Sequence, residues 1–146
     1  MKNILKILKR NERAILPQKA TSGSAGADLY ACIEERVKIE PGQLVKIPTG
    51  ISISIPSDCV ALIFSRSGLG IKHGITLSNG VGVVDSDYRG EICVGLCNVS
   101  SESYEVSPND RIAQMIIMKT ENFIINEVSS LDATQRGEQG FGSSGK

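Results

Sequence analysis

Along the chain, apolar positions recur mostly with period two. Ile51-Ser52-Ile53-Ser54-Ile55 alternates strictly, and Val60-Ala61-Leu62-Ile63-Phe64 follows after the turn Pro56-Ser57-Asp58. In Glu91 to Val99, Ile92, Val94 and Leu96 point to one face and Cys93, Gly95 and Cys97 to the other, which is read as tightly packed or approached by backbone. Turn signals fall at Pro41-Gly42, Pro48-Thr49-Gly50, Ser65 to Gly68, Asn79-Gly80, Asp87 to Gly90 and Pro108-Asn109-Asp110. Asn79-Gly80 lies between Ile75-Thr76-Leu77-Ser78 and Val81-Gly82-Val83-Val84, which predicts a two-residue hairpin. Ser22 to Ala25 reads as a loop or as a short helical turn. Short strands at near-even spacing predict an all-β sandwich or barrel.

Composition supports strands. The apolar residues are mostly Ile and Val, with no Trp and few aromatics, and stiff branched side chains suit a pleated sheet. At 146 residues one core is expected, with roughly two-thirds of the unfolded surface buried on folding. Sixteen basic residues balance sixteen acidic ones, which argues against bulk polyanion binding, so neither nucleic acid nor membrane is an expected partner. No apolar run has the length of a membrane span. Lysines interrupt MKNILKILKR before a signal-peptide core forms, and the expected location is cytoplasmic. Cys32, Cys59, Cys93, Cys97 and His73 form no C-x-x-C or His pair, so zinc spacing is missing and free thiols are expected. Asn98-Val99-Ser100 fits the glycosylation pattern but carries no weight without a secretory signal. Towards the end, the stretch from Arg136 to Lys146 is too rich in Gly and Ser to order itself. The expected division is therefore one β-rich domain over 1–128 and a flexible arm over 129–146. The final GSSGK lacks the spacing of a phosphate loop.

Four segments carry chemistry, each with a plainer alternative. Asp85, in Gly82-Val83-Val84-Asp85-Ser86-Asp87-Tyr88-Arg89-Gly90, is a candidate acid or base, or part of a polar turn. Ser65-Arg66-Ser67-Gly68 combines a guanidinium, hydroxyls and a permissive Gly, which suits phosphate oxygens or an ordinary capped turn. Asp28, in Ser24-Ala25-Gly26-Ala27-Asp28, offers a carboxylate for a hydrated Mg²⁺, or a structural one. The tail supplies Arg136, Phe141, Ser143 and Ser144 for a lid, or is simply an unstructured end.

In order, SAGADLYA (24–31), SRSGLG (65–70), NGVGVVDSDYRGEI (79–92), DRIAQMI (110–116) and RGEQGFGSSG (136–145) resemble the five ordered motifs of the trimeric dUTP pyrophosphatase family. The resemblance spans nearly the whole chain. It implies a distorted jelly-roll subunit, a homotrimer with shared active sites, and Mg²⁺-assisted hydrolysis of dUTP to dUMP and pyrophosphate. That reaction limits uracil incorporation into DNA and supplies dUMP for thymidylate synthesis. By the same resemblance, Asp85 matches the carboxylate that activates the water attacking the α-phosphorus. Arg66, Ser67, Gly68 and Gln114 match phosphate-side groups, with Arg136, Ser143 and Ser144 on the γ-phosphate side. Asn79, Gly80, Val84 and Tyr88 match the uracil and deoxyribose segment, Phe141 covers the base, and Asp28 meets the water shell of the metal.

Three positions depart from the family pattern. Ala27 stands where an aromatic is common, Ser65 where Pro is usual, and Ser144 where Thr is common; none removes a charge or donor assigned to the chemistry. The nearest alternative, a dCTP deaminase of the same fold, would need a glutamate where Gly95 stands. A non-catalytic nucleotide-binding module would have lost Asp85 or the tail, and both are present.

Overall fold

A strand that alternates with period two can bury only one face, so it must pair into a sheet and turn that face onto a core. The computed structural model, which describes residues 4–138, shows how this chain does so. In chain order come β1 (Lys6–Lys9), β2 (Ala27–Tyr30), β3 (Val37–Ile39), β4 (Leu44–Pro48), β5 (Ile51–Ser54) and β6 (Cys59–Phe64). There follow α1 (Ser67–His73), β7 (Ile75–Leu77), β8 (Gly82–Val84), β9 (Cys93–Asn98), β10 (Tyr104–Val106) and β11 (Arg111–Lys119). All strand pairs are antiparallel. They form a four-stranded sheet β2-β11-β6-β8, a three-stranded sheet β4-β9-β7, and the two-stranded pairs β1-β5 and β10-β3. The expected all-β, jelly-roll class is what the chain adopts.

The core is aliphatic. Leu29, Ile39, Ile47, Ile51, Ile75, Val94, Leu96, Val106 and Ile112 are fully buried, each side chain contributing about 1.5–3 kcal/mol by leaving water. The alternation read in β9 holds, with Val94 and Leu96 buried and Cys93 exposed. On the second face, Gly95 leaves room for the Ser78 hydroxyl, which a Cβ would strike. In β5 the alternation is incomplete. Ser52 is buried as well, because its hydroxyl is fully hydrogen-bonded on the face away from the core. All four cysteines are free thiols.

The expected hairpin at Asn79-Gly80 does not form. β7 pairs with β9 and β8 pairs with β6, so the two flanking strands leave the corner for different sheets. The backbone shows why: Gly80 has φ +71, but Asn79 is not in the left-handed region, and a type I′ hairpin turn needs positive φ at both positions. The Gly80 N–H still closes a tight turn onto the Leu77 carbonyl at 3.2 Å.

A second difference is α1, which begins inside the expected turn at Ser65 to Gly68. Gly68 and Gly70 weaken its propensity, and local pattern gave no helical period. Tertiary packing decides: Leu69 is buried, Gly74 ends the helix with φ +64, and Lys72 and His73 sit favourably in its last turn. Ser22 to Ala25 resolves as a non-helical turn in which the Ser24 N–H donates to the Thr21 carbonyl. After β11, residues 120–138 add no strand or helix and lie exposed, with Phe123, Ile124, Ile125 and Leu131 at least 81% accessible.

Candidate active site

The candidate residues fall into two cavities. The first is built where β2, β6 and β11 run side by side. Register places Gln114 opposite both Asp28 and Phe64, so Gln114 and Asp28 are direct cross-strand neighbours. A register shift between Arg111 and Ala113 inserts an extra residue, which turns Arg111 towards the same carboxylate. Asp28, 13% accessible, thus receives Arg66 Nε on Oδ1 at 2.9 Å and an Arg111 guanidinium nitrogen on Oδ2 at 3.3 Å.

Gln114 Nε2 donates to the Ser65 carbonyl at 3.0 Å, and its Oε1 lies over Gly26, where a Cβ would come within 2.8 Å. Ser65, the residue that replaces a usual Pro, is held through its hydroxyl, which contacts Thr76 Oγ1 and accepts the Leu77 N–H, both at 3.0 Å. These bonds fix the start of α1. Ser67 and Gly68 stand there exposed, and no side chain caps the helix. Ser24, Gly26, Asp28, Arg66, Ser67, Gly68 and Gln114 line this cavity of about 330 Å³.

The second cavity, about 360 Å³, takes its lining from Asn79, Gly82, Val84, Asp85 and Tyr88 together with Lys46, Glu91, Cys93 and Gly95. Gly82 lets β8 close on β6, since a Cβ there would meet Ile63 Cβ at 3.0 Å. Asp85 follows β8 at the head of a loop. Its carboxylate is exposed and, among the described residues, has neither hydrogen-bond nor ion-pair partner. Tyr88 folds back over Gly90, where any Cβ would collide with its ring, and donates its hydroxyl proton to the Glu91 carbonyl at 3.1 Å. Partial desolvation in the cavity wall, aided by the Glu91 charge and opposed by Lys46, pushes the Cys93 thiol above its ordinary value although the residue keeps an exposed edge. Gly80 forms the corner next to this cavity without lining it.

Within one chain the two groups do not meet, because the two cavities have no lining residue in common. Arg136 lies exposed beside a turn in which the Gly137 N–H reaches the Thr134 carbonyl at 3.2 Å, and it lines neither cavity. Phe141, Ser143 and Ser144 lie outside the described residues. Sequence reasoning missed Arg111, Glu91, Lys46 and Cys93. Arg111 and Glu91 stand inside motifs already singled out, so their charge was a usable signal; nothing in the local pattern marks Lys46 or Cys93.

Among the described residues no cluster of three His, Cys, Asp or Glu side chains could hold an ion directly. Two guanidiniums on one carboxylate leave the Asp28 cluster with one net positive charge, which suits phosphate oxygens. Each Asp28 oxygen keeps a lone pair for water, so the residues fit a hydrated Mg²⁺ carried in on a triphosphate. Among the described residues no helix is long and apolar enough to cross a membrane.

A family model for dUTPase matches residues 12–145. A deoxyuridine 5'-triphosphate nucleotidohydrolase of Desulfitobacterium hafniense is 49% identical over 139 residues, covering 94% of this chain and 92% of that protein. The enzyme of the same name from Bordetella pertussis is 47% identical over 148 residues, covering 100% of this chain and 99% of its own. Among solved structures, the dUTPase of Staphylococcus bacteriophage 80alpha with dUPNHPP superposes with a TM-score of 0.90 at 26% identity, covering 99% of this chain and all of that one.

Proposed function

The chain belongs to the dUTPase family, and from that membership we propose that it hydrolyses dUTP to dUMP and pyrophosphate with Asp85 as the base. The observation that carries this reading is the second cavity. There a carboxylate that is exposed and, among the described residues, unpartnered stands beside a tyrosine ring and a glycine-bearing strand corner. Such a carboxylate is free to accept a proton from water. The water oxygen bonds to the α-phosphorus, the bond from that phosphorus to the α,β-bridging oxygen breaks, and the proton passes to Asp85. Pyrophosphate leaves with the bridging oxygen. In-line displacement of this kind depends on positioning and charge neutralisation more than on covalent catalysis.

The Asn79 corner and the β8 backbone read the uracil edge, since a backbone edge that pairs with uracil leaves buried groups unpaired against cytosine. The β8 backbone at Gly82, which lines the cavity, stands against the base and excludes a 5-methyl group. Tyr88 packs under the deoxyribose and excludes a 2'-hydroxyl, and Val84 lines the wall. Arg66, Ser67, Gly68 and Gln114 bind the phosphate chain. Asp28 is the residue that would meet the water shell of a Mg²⁺ ion, which would supply charge neutralisation to the phosphates. Arg136, Phe141, Ser143 and Ser144 belong to an arm that closes over the nucleotide, covering the base and excluding water.

Separate cavities in one chain support a site completed between chains, and the assembly is a homotrimer, a closed symmetric arrangement. The exposed apolar residues of 120–138 supply surface for that contact. The arm spans 129–146 and the protein works in the cytoplasm.

The deciding experiment follows pyrophosphate and ammonia together from dUTP, dCTP, dTTP and UTP with Mg²⁺, beside a measurement of mass in solution. Pyrophosphate from dUTP alone, by a trimer, is the expected result. Ammonia from dCTP would overturn the reading in favour of deamination, and neither product would leave a binding module.

A further inference from the structure

The loop from Asp85 to Ile92 has almost no strand ladder of its own, yet most of its carbonyls are occupied. The Asp85 carbonyl accepts the Tyr88 N–H, and Arg89 Nη1 donates to the carbonyls of Ser86 and Tyr88 at 2.7 and 2.9 Å. Tyr88 serves the Glu91 carbonyl, and Thr49 serves that of Ile92 through Oγ1 at 2.6 Å. The Asp87 carbonyl, which meets no donor among the described residues, aside, two remain, those of Arg89 and Gly90. Both are taken from outside the loop by one arginine and its partner serine, neither of which touches a cavity.

Arg10 follows β1, whose register against β5 ends at Lys9 opposite Ile51, and its N–H donates to the Gly50 carbonyl at 2.7 Å. That anchor sets the side chain beside Ser52. Arg10 Nη2 donates to the Arg89 carbonyl at 2.7 Å, and Nε donates to Ser52 Oγ at 2.8 Å. The Ser52 hydroxyl, 4% accessible, passes its own proton to the Gly90 carbonyl at 2.8 Å. A planar guanidinium can hold two acceptors in fixed relation, which a lysine ammonium cannot. Glu91 adds a further clamp by accepting the Gly50 N–H at 2.7 Å, so β5 and its preceding turn carry the whole loop.

From this geometry we infer that Arg10, acting through Ser52, is a positioning residue for the Asp85–Tyr88 loop, fixing the height of the base and the nucleoside platform from behind. The inference rests on the assignment of Asp85 above. Misplacement of a reacting group by about 1 Å can cost about 10²-fold in rate.

The test compares wild type, Arg10→Ala, Arg10→Lys and Ser52→Ala by steady-state kinetics on dUTP and by amide hydrogen exchange. Arg10→Ala is expected to lower kcat about 10- to 100-fold with KM changed less than about threefold. Exchange in residues 86–92 should quicken about tenfold while strands β6, β9 and β11 keep their protection. Arg10→Lys should leave most of the loss in place, and Ser52→Ala, which fills the same buried position, should reproduce the pattern if Arg10→Ala fails to fold. Unchanged kcat, full recovery with lysine, or an acceleration shared by all strands would overturn the inference. Should the wild type release no pyrophosphate, the assigned function fails, while loop exchange in Arg10→Ala still decides whether Arg10 fixes the loop.

Discussion

Asp28 and Asp85 are held in opposite ways. Asp28 lies in a paired strand, mostly buried, with a guanidinium on each oxygen, whereas Asp85 heads a loop with its carboxylate exposed and, among the described residues, unpartnered. A carboxylate matched by two cations has only its remaining lone pairs to offer water, whereas one left open has all of them for a reacting water. The surroundings follow the same division. Strand register brings Asp28 and Gln114 together directly, while the Asp85 loop is held through its carbonyls by side chains from β5, from residue 10 and from itself. The first arrangement suits a fixed electrostatic floor, the second a reactive group whose exact height is set by a few polar contacts.

Asp85→Asn makes the sharpest break. It keeps the shape and removes the base, so kcat should fall about 10³-fold while dUTP binding, read by calorimetry, and the melting temperature stay near wild type. A wild-type rate would end the assignment of Asp85. Removing residues 136–146 comes next, with an expected loss of about 10²-fold in kcat and no change in the fold by circular dichroism. Full activity in the shortened chain would take the arm out of the mechanism.

Gly90→Ala acts within the loop. Its Cβ collides with the hydroxyl end of the half-exposed Tyr88 ring, which must swing aside, so the nucleoside platform shifts and KM for dUTP should rise about tenfold. An unchanged KM would show that Tyr88 does not support the nucleoside. Asp28→Asn inverts the Asp85 result. Leaving Arg66 and Arg111 side by side without their carboxylate should cost about 1–2 kcal/mol of stability in urea melts, reduced by the half exposure of Arg111, with kcat lowered only several-fold. Equal losses of activity in the two Asp variants would dissolve the distinction between them.

Much of this was legible beforehand because period-two patterning and ordered motifs are local. The strands β5, β6 and β9 follow from alternation, and Asp28, Ser67, Asp85 and Tyr88 follow from motif likeness. The Asn79-Gly80 corner was misread for a physical reason: Asn-Gly favours a turn, but which strands meet after it depends on partners distant in sequence. The helix α1 escaped notice because its glycines argue against it and only the burial of Leu69 argues for it. Arg10 carries no local mark either. It is an exposed basic residue at the end of a short strand, and its role exists only because β1 pairs with β5.

By itself, then, the sequence determined the β class, the free thiols, the positions of the five motifs and the chemical types of the candidate site residues. Those properties depend on residue identity and on short-range periodicity. The tertiary structure alone decided that Arg66 and Arg111 share Asp28, that Arg10 and Ser52 reach the loop from behind, and that the two groups of site residues lie in separate cavities of one chain. The first two are contacts between residues about 40 or more positions apart, fixed by strand register and a bulge, and the third follows from which distant strands pair, which no local pattern encodes.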